Sequence, residues 1–195
     1  MRRDDGYVAY VADVLSRCAP GRTRLRILEW GTGFSTFVFY NAVLSGRASR
    51  LVSIDNNAPY AEAFWRLMPP LDGFDRVLRN EIGPTKTSSD VGLHYASHPL
   101  SCGHDFDLIY IDGRRRMECA VNAAMVAHPE TMIVIDDGLR SRYQVIRCLC
   151  EEVATLGHGV IYRIRPEVYA ALQPGRVDLM RIFESQKLRA PPSAG

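Results

Sequence analysis

Leu28-Glu29-Trp30-Gly31-Thr32-Gly33-Phe34-Ser35-Thr36 reads as the end of a short apolar strand, a glycine turn and the start of a helix. Glycines at such a junction let the backbone approach a ligand closely and leave helix N-terminal amides open to it. A dinucleotide site would carry GxGxxG, its third glycine allowing close helix–strand packing. Here the third position is Thr36, and Glu29 stands two places before the first glycine. The resulting pattern, ExGxGxST, differs from the pyrophosphate fingerprint.

The same strand–helix alternation continues on both sides. Upstream, Tyr7–Cys18 carries apolar residues at helical spacing and stops before Pro20-Gly21. Leu25–Leu28 predicts a strand, Ser35–Ser45 a helix closed by Gly46, Arg50–Ile54 a strand ending at Asp55, and Ala58–Met68 a helix ended by Pro69-Pro70. A strand near Arg76–Arg79 leads into an irregular stretch, with a long loop expected over Gly83–Gly103; such loops are usually functional or mobile. Order returns with strand Phe106–Ile111, helix Met117–Ala127 and strand Thr131–Ile135, followed by a long amphipathic helix over Arg142–Leu156. Two β-rich runs, Gly159–Ile164 and Val177–Phe183, flank a Pro/Gly connection and predict an antiparallel hairpin at a sheet edge. The expected class is α/β: a Rossmann-like, doubly wound, mostly parallel sheet with helices on both faces. It forms one domain over residues 1–189, with a disordered tail over 190–195.

Composition narrows the function classes. The 195 residues are 47% hydrophobic and 24% charged, a globular balance rather than a disordered one. No apolar run approaches the roughly 18–20 residues a membrane helix needs, and the start, MRRDDGYVAY, lacks the apolar core of a secretory signal. Five scattered cysteines without a CxxC pair argue against structural zinc or a disulfide framework, and hence for a reduced, cytoplasmic protein. The net charge of +2 conceals 22 arginines against 2 lysines. Arginine binds carboxylate and phosphate bidentately, which would suit an anionic ligand; spread along the whole chain, the excess is equally a mark of codon composition.

Four strand ends are acidic. Asp55 follows Gly31 by 24 positions, where a carboxylate accepts hydrogen bonds from the ribose hydroxyls of an adenosine, in NAD or S-adenosylmethionine alike. Asn56 is placed for the adenine or for a turn. Asp112 closes the FDLIYI strand and Asp136-Asp137 the TMIVI strand. In open parallel sheets the ligand crevice lies outside the carboxyl ends of the strands, so Glu29, Asp55, Asp112, Asp136 and Asp137 share one rim. His94, His98 and His104 offer bases in the irregular stretch, and Arg114, Arg115, Arg116, Arg140 and Arg142 follow the acidic ends.

Together EWGTGFST, SIDNN and FDLIYIDGRRRMECAVNA resemble the glycine, ribose-binding and fourth-strand motifs of class I S-adenosylmethionine-dependent methyltransferases, over Leu25–Leu156. The last is similar to a bacterial branch with IDGR, a C-x-x-N-A helix and a later DD strand end, loosely similar to glucuronoxylan and other sugar O-methyltransferases. The resemblance implies cofactor binding by Glu29, Trp30, Gly31, Thr32, Gly33, Ser35, Thr36, Asp55, Asn56 and Asp112. In that reading Gly31 and Gly33 pass under the methionine part, Glu29 positions it through local hydrogen bonds, and Asp55 holds the ribose. Asp112 and Asp137 are the catalytic candidates, with Asp112 beside the reacting centre. Some related O-methyltransferases bind Mg²⁺ through one aspartate at the fourth strand and a pair at the fifth, which would make Asp112, Asp136 and Asp137 the ligands; Arg114–Arg116 offer to neutralise the same acids without metal.

The implied function is S-adenosylmethionine-dependent O-methylation of a small molecule or saccharide, with an anionic acceptor and a homodimer both compatible with it. Three alternatives remain: an NAD-dependent oxidoreductase, a nucleic-acid methyltransferase and a non-catalytic cofactor-binding protein. Thr36 in the third glycine position and the lack of a Tyr-x-x-x-Lys pair count against the first. The small net charge and the absence of an NPPY-like motif count against nucleic acid as a partner. The intact acidic rim counts against a non-catalytic role.

Overall fold

The computed structural model describes residues 4–18, 20–79, 93–103 and 105–172. In chain order these form α1 (Asp4–Cys18), β1 (Leu25–Trp30), α2 (Phe34–Leu44), β2 (Ala48–Asp55), α3 (Ala58–Trp65), β3 (Phe74–Leu78), α4 (Leu93–Ser97), β4 (Phe106–Ile111), α5 (Arg116–Val126), β5 (Ala127–Ile135), β6 (Cys150–Leu156) and β7 (Gly159–Ile164). A helical segment follows over 166–172, within the stretch expected to be a connection.

The strands make one sheet in the order β3-β2-β1-β4-β5-β7-β6. The first five are parallel; β7 runs antiparallel to both β5 and β6, so β6 again points with the parallel set. Strands covered on both faces read as continuous apolar runs, which is why FDLIYI is legible as a strand. Side-chain alternation divides the core in two. Ile27, Leu51, Leu108, Tyr110 and Val134 face Val11 and Val14 of α1, Phe39 of α2 and Trp65 of α3. Leu28, Trp30, Ile109, Ile111, Ile133 and Ile135 face Tyr95 of α4 and Cys119, Ala120 and Ala123 of α5. The spacing of Val11, Val14, Leu15 and Cys18, all buried, is the stripe a helix needs to lie on a sheet.

The expected doubly wound α/β fold with an antiparallel edge pair is thus present, but one element differs. Arg142–Leu156 is not a helix: a 3₁₀ turn over Ser141–Cys148 is followed by β6. Tyr143, Ile146 and Cys150 are all buried and satisfy a helical spacing, yet the first two belong to the 3₁₀ turn and the third starts a strand. As an edge strand, β6 leaves Glu151, Glu152 and Val153 exposed and so lacks the apolar alternation that would betray it. The hairpin is therefore β6–β7; the run Val177–Phe183 lies outside the described residues. From residue 93 the expected long loop is ordered as α4 and a 3₁₀ turn, with Tyr95, Ala96 and Leu100 in the core. His104 and residues 80–92 lie outside the described residues, as does 190–195.

Candidate active site

The carboxyl ends of β1, β2, β4 and β5 open onto a cleft of about 1090 Å³. Its floor is set by backbone contact between two loops. Asp112 N donates to Trp30 O at 2.9 Å and Gly31 N to Ile54 O at 2.9 Å, drawing the three strand ends together. Gly31 sits at φ +98°, and a Cβ there would lie 2.6 Å from Gly113 N. Both the conformation and the approach demand glycine. Gly33 is different: its backbone is extended, and a Cβ would meet only Tyr60 OH at 3.6 Å, across the cleft. It is a cradle that a side chain would begin to fill.

Behind the loop, Glu29 is fully buried and accepts from three hydroxyls: Ser35 at 2.5 Å, Thr36 at 2.7 Å and Ser53 at 2.8 Å. Thr36 Oγ1 in turn accepts from Gly33 N at 2.8 Å, so Glu29 ties the turn, the first residues of α2 and β2 into one unit. Burial pushes Glu29 up to about 7 despite those donors. Asp55 is also mostly buried: its carboxylate takes Thr32 N at 2.8 Å and Asn57 N at 2.7 Å, and burial raises its pKa. Each oxygen keeps a further acceptor position on a residue that lines the cleft.

The other end of the cleft is a network of charge. Arg116 Nη2 donates to Asp112 Oδ1 at 2.7 Å and to Asp112 O at 3.1 Å, its Nε to Gly113 O at 3.1 Å, and its Nη1 to Asp136 O. The same Nη1 lies 3.8 Å from Asp136 Oδ2 and 3.7 Å from Asp137 Oδ2. Tyr7 of α1 donates to Asp112 Oδ2 at 2.7 Å, and Tyr110 OH stands 2.9 Å from Tyr7 OH and 3.3 Å from Asp136 Oδ1. Asp137, at φ +54°, pairs with Arg140 at 2.6 Å. Burial, then the neighbouring Asp136 charge, push Asp112 up to about 7; burial likewise raises Asp136.

Of the residues expected at the cofactor, Gly31, Thr32, Gly33, Asp55, Asn56 and Asp112 line the cleft. Glu29, Ser35 and Thr36 lie behind it and act on it through the loop. Trp30 lies in the core, where its Nε1 donates to Tyr95 O at 3.1 Å. Arg142 stacks over Tyr143 instead of reaching the acids, and His94 and His98 stand apart from them. Mg²⁺ held by Asp112, Asp136 and Asp137, one of the two arrangements the resemblance left open, is not supported. The guanidinium of Arg116 lies among the three aspartates, and no three His, Cys, Asp or Glu side chains among the described residues are grouped to hold a metal. Tyr7, Tyr60, His158 and Tyr95 line the cleft and had no role in the sequence reading. His158, in the β6–β7 turn, places Nε2 3.0 Å from Asp136 Oδ1. Tyr95 OH is buried over Gly113, where any Cβ would collide with it, and it has no hydrogen-bond partner among the described residues.

An adenosyl donor fits this cleft: the glycine cradle, the Asp55 oxygens and the orphaned Tyr95 hydroxyl are all groups a bound ligand would complete. A family model described as "Methyltransferase domain" matches residues 28–138, more than half of the chain. The chain belongs to that methyltransferase family. No curated protein matches its sequence significantly. Among solved structures, a ribosomal protein L11 methylase from Lactobacillus delbrueckii subsp. bulgaricus aligns with a TM-score of 0.52 at 14% identity, over 83% of this chain and 80% of its own. CalS11, a TDP-rhamnose 3′-O-methyltransferase of calicheamicin biosynthesis, gives 0.53 at 9% identity, over 84% and 80%. MtNAS, a mutant of which was solved with S-adenosylmethionine, gives 0.53 at 14%, over 81% of this chain and 63% of that one. No helix among the described residues is long and apolar enough to cross a membrane.

Proposed function

We propose that this methyltransferase methylates a hydroxyl oxygen of a small molecule or saccharide bearing a negative charge. The observation that supports it most is the set of linked ionisable groups, Asp112, Asp136 and His158, on the cleft. A neutral amine attacks through a lone pair it already holds, whereas a hydroxyl must give up a proton as it attacks. A cleft that ends in proton acceptors suits the hydroxyl.

The donor supplies a methyl group on a sulfonium, already attached to a good leaving group. What remains for the chain is alignment and proton removal. Gly31–Gly33 let the donor lie against backbone, Asp55 accepts from its ribose, and Asn56 and Tyr95 are at hand for the remaining polar groups. Asp112 lies beside the reacting centre, its orientation held by Tyr7 and Arg116. Asp137 holds Arg140 at the rim. Arg114 is exposed on the same rim and makes no ion pair among the described residues, which leaves its fork for an acceptor carboxylate or phosphate. Arg116 supplies the positive charge within the acidic end, and no step passes through Mg²⁺. The catalytic unit is taken as one domain over residues 1–189, cytoplasmic, compatible with a homodimer and without nucleic acid as substrate.

The test is transfer of tritium from methyl-labelled S-adenosylmethionine to paired acceptors: uronic acids, sugar phosphates and phenolic acids against amino sugars, amines and tRNA. Label in an ether of an anionic hydroxyl compound supports the reading. Label confined to nitrogen or to tRNA overturns it.

A further inference from the structure

The Asp112 oxygens already accept from Tyr7 and Arg116, and Asp137 is paired with Arg140. Asp136 is sealed in, its side chain only 8% exposed, while that of His158 is 50% exposed on the cleft. The topology puts His158 there. Because β6 runs with the parallel strands, its turn into β7 returns to the rim that carries the acidic strand ends. The pairing of Ile135 with Val160 then sets Asp136, one residue on, against the turn. Nε2 lies 3.0 Å from Asp136 Oδ1 as an ion-pair contact, and the tautomer that a neighbouring carboxylate favours carries its hydrogen on Nε2 and keeps the lone pair on Nδ1. Nδ1 has no partner among the described residues.

We infer that His158, oriented by Asp136, is the catalytic base that takes the hydroxyl proton of the methyl acceptor. The inference rests on the hydroxyl-methylation reading and adds the residue that reading lacks. The acceptor oxygen forms its bond to the methyl carbon as the carbon–sulfur bond breaks, the bonding pair leaving on sulfur. The hydroxyl proton passes to Nδ1, whose lone pair forms the new N–H bond, and the resulting imidazolium stands against the Asp136 carboxylate. Release of the proton to solvent through the exposed ring edge restores the base. The ionisable groups facing the ring are Tyr7 and Tyr10 of α1 and Asp136 of the β5 end, with Asp112 and Arg116 behind Asp136. Burial pushes both phenols above their ordinary range, so they stay protonated and do not compete for the proton. Their rings, with centroids 6.3 and 4.9 Å from that of His158, fix its plane.

The experiment pairs an acceptor-free readout with a kinetic one. In ¹⁵N-histidine-labelled full-length protein, the signal lost in His158→Gln identifies the ring, whose expected tautomer at neutral pH is Nε2–H, perturbed by Asp136→Asn. With the acceptor that takes label in the panel above, His158→Gln lowers kcat by roughly 10²–10⁴-fold. Asp136→Asn gives a smaller loss, mostly in kcat. S-adenosylhomocysteine affinity, read by calorimetry, stays within twofold in both variants. An Nδ1–H tautomer overturns the assignment, as does a His158→Gln enzyme with wild-type kcat. If no hydroxyl compound takes label in wild type, the hydroxyl reading fails; the tautomer then decides whether the His158–Asp136 pair itself stands.

Discussion

Replacing Glu29 by glutamine keeps the shape of the residue behind the glycine loop and removes its charge. In the folded chain Glu29 titrates at about 7, against 4.5 for a free side chain, because burial outweighs its three hydroxyl donors. At ~1.36 kcal/mol per pH unit that gap is worth about 3 kcal/mol. Below pH 4.5 both folded and unfolded chains hold the proton and nothing is lost. Between 4.5 and about 7 only the folded chain holds it, so stability falls as pH rises and levels off above 7. Asp112, Asp55 and Asp136 are raised too and bend the wild-type curve the same way. The difference between Glu29→Gln and wild type isolates Glu29: relative to wild type, the variant should gain about 3 kcal/mol between pH 4.5 and pH 8. For a chain of this size that corresponds to roughly 6–12 °C in melting temperature. Urea unfolding followed by the fluorescence of the two buried tryptophans, Trp30 and Trp65, at several pH values reads it directly. Parallel curves for the two proteins would refute the assignment of a raised, partly protonated Glu29.

Three further outcomes follow from the same geometry. Gly31→Ala should cost about 1–3 kcal/mol through its positive φ alone, and more through the clash with the Asp112–Gly113 backbone; an unchanged urea midpoint with unchanged S-adenosylhomocysteine binding would count against the loop contact. Asp55→Ala strips the acceptor from Thr32 N and Asn57 N, about 1–3 kcal/mol for each amide left dry, and should weaken S-adenosylhomocysteine by calorimetry at least tenfold (roughly 1.4 kcal/mol); equal affinity would remove the ribose assignment. Arg116→Met keeps the stem and deletes the cation among Asp112, Asp136 and Asp137, at about 3–5 kcal/mol, with a larger loss at pH 8 than at pH 5.5 because Asp112 is protonated below about 7. A loss that is the same at both pH values would show that Arg116 acts through packing instead.

The order of elements was legible because strands buried on both faces write unbroken apolar runs and glycines mark where each ends. The acids were legible for a related reason: a carboxylate directly after such a run has little to do in a core. Residues 142–156 were not, because Tyr143 and Ile146 pack at helical spacing from a 3₁₀ turn while the edge strand after them shows solvent mostly polar side chains. Trp30 adjoins the glycine loop in sequence, but strand alternation sends it and Glu29 to opposite faces of the sheet, neither of them the cleft. His158 had no local mark beyond a glycine on each side. Only the antiparallel register of β7 on β5 brings it to Asp136, and pairing across strands is not written in any one segment.

The β6–β7 turn also bears on how such an enzyme can be re-engineered. The cleft is built from successive βα units whose loops brace one another, so that a change in Gly31 is felt at Gly113. The turn that delivers His158 hangs from the outermost pair of strands and, among the described residues, meets Asp136 and the α1 tyrosines. If His158 is the base proposed above, loop grafting there retunes which molecules are accepted while the Gly31–Gly113 contact keeps its shape. A graft must keep Gly157, which sits at φ +56°, and must leave room at Gly159, where a Cβ would meet the Tyr10 hydroxyl.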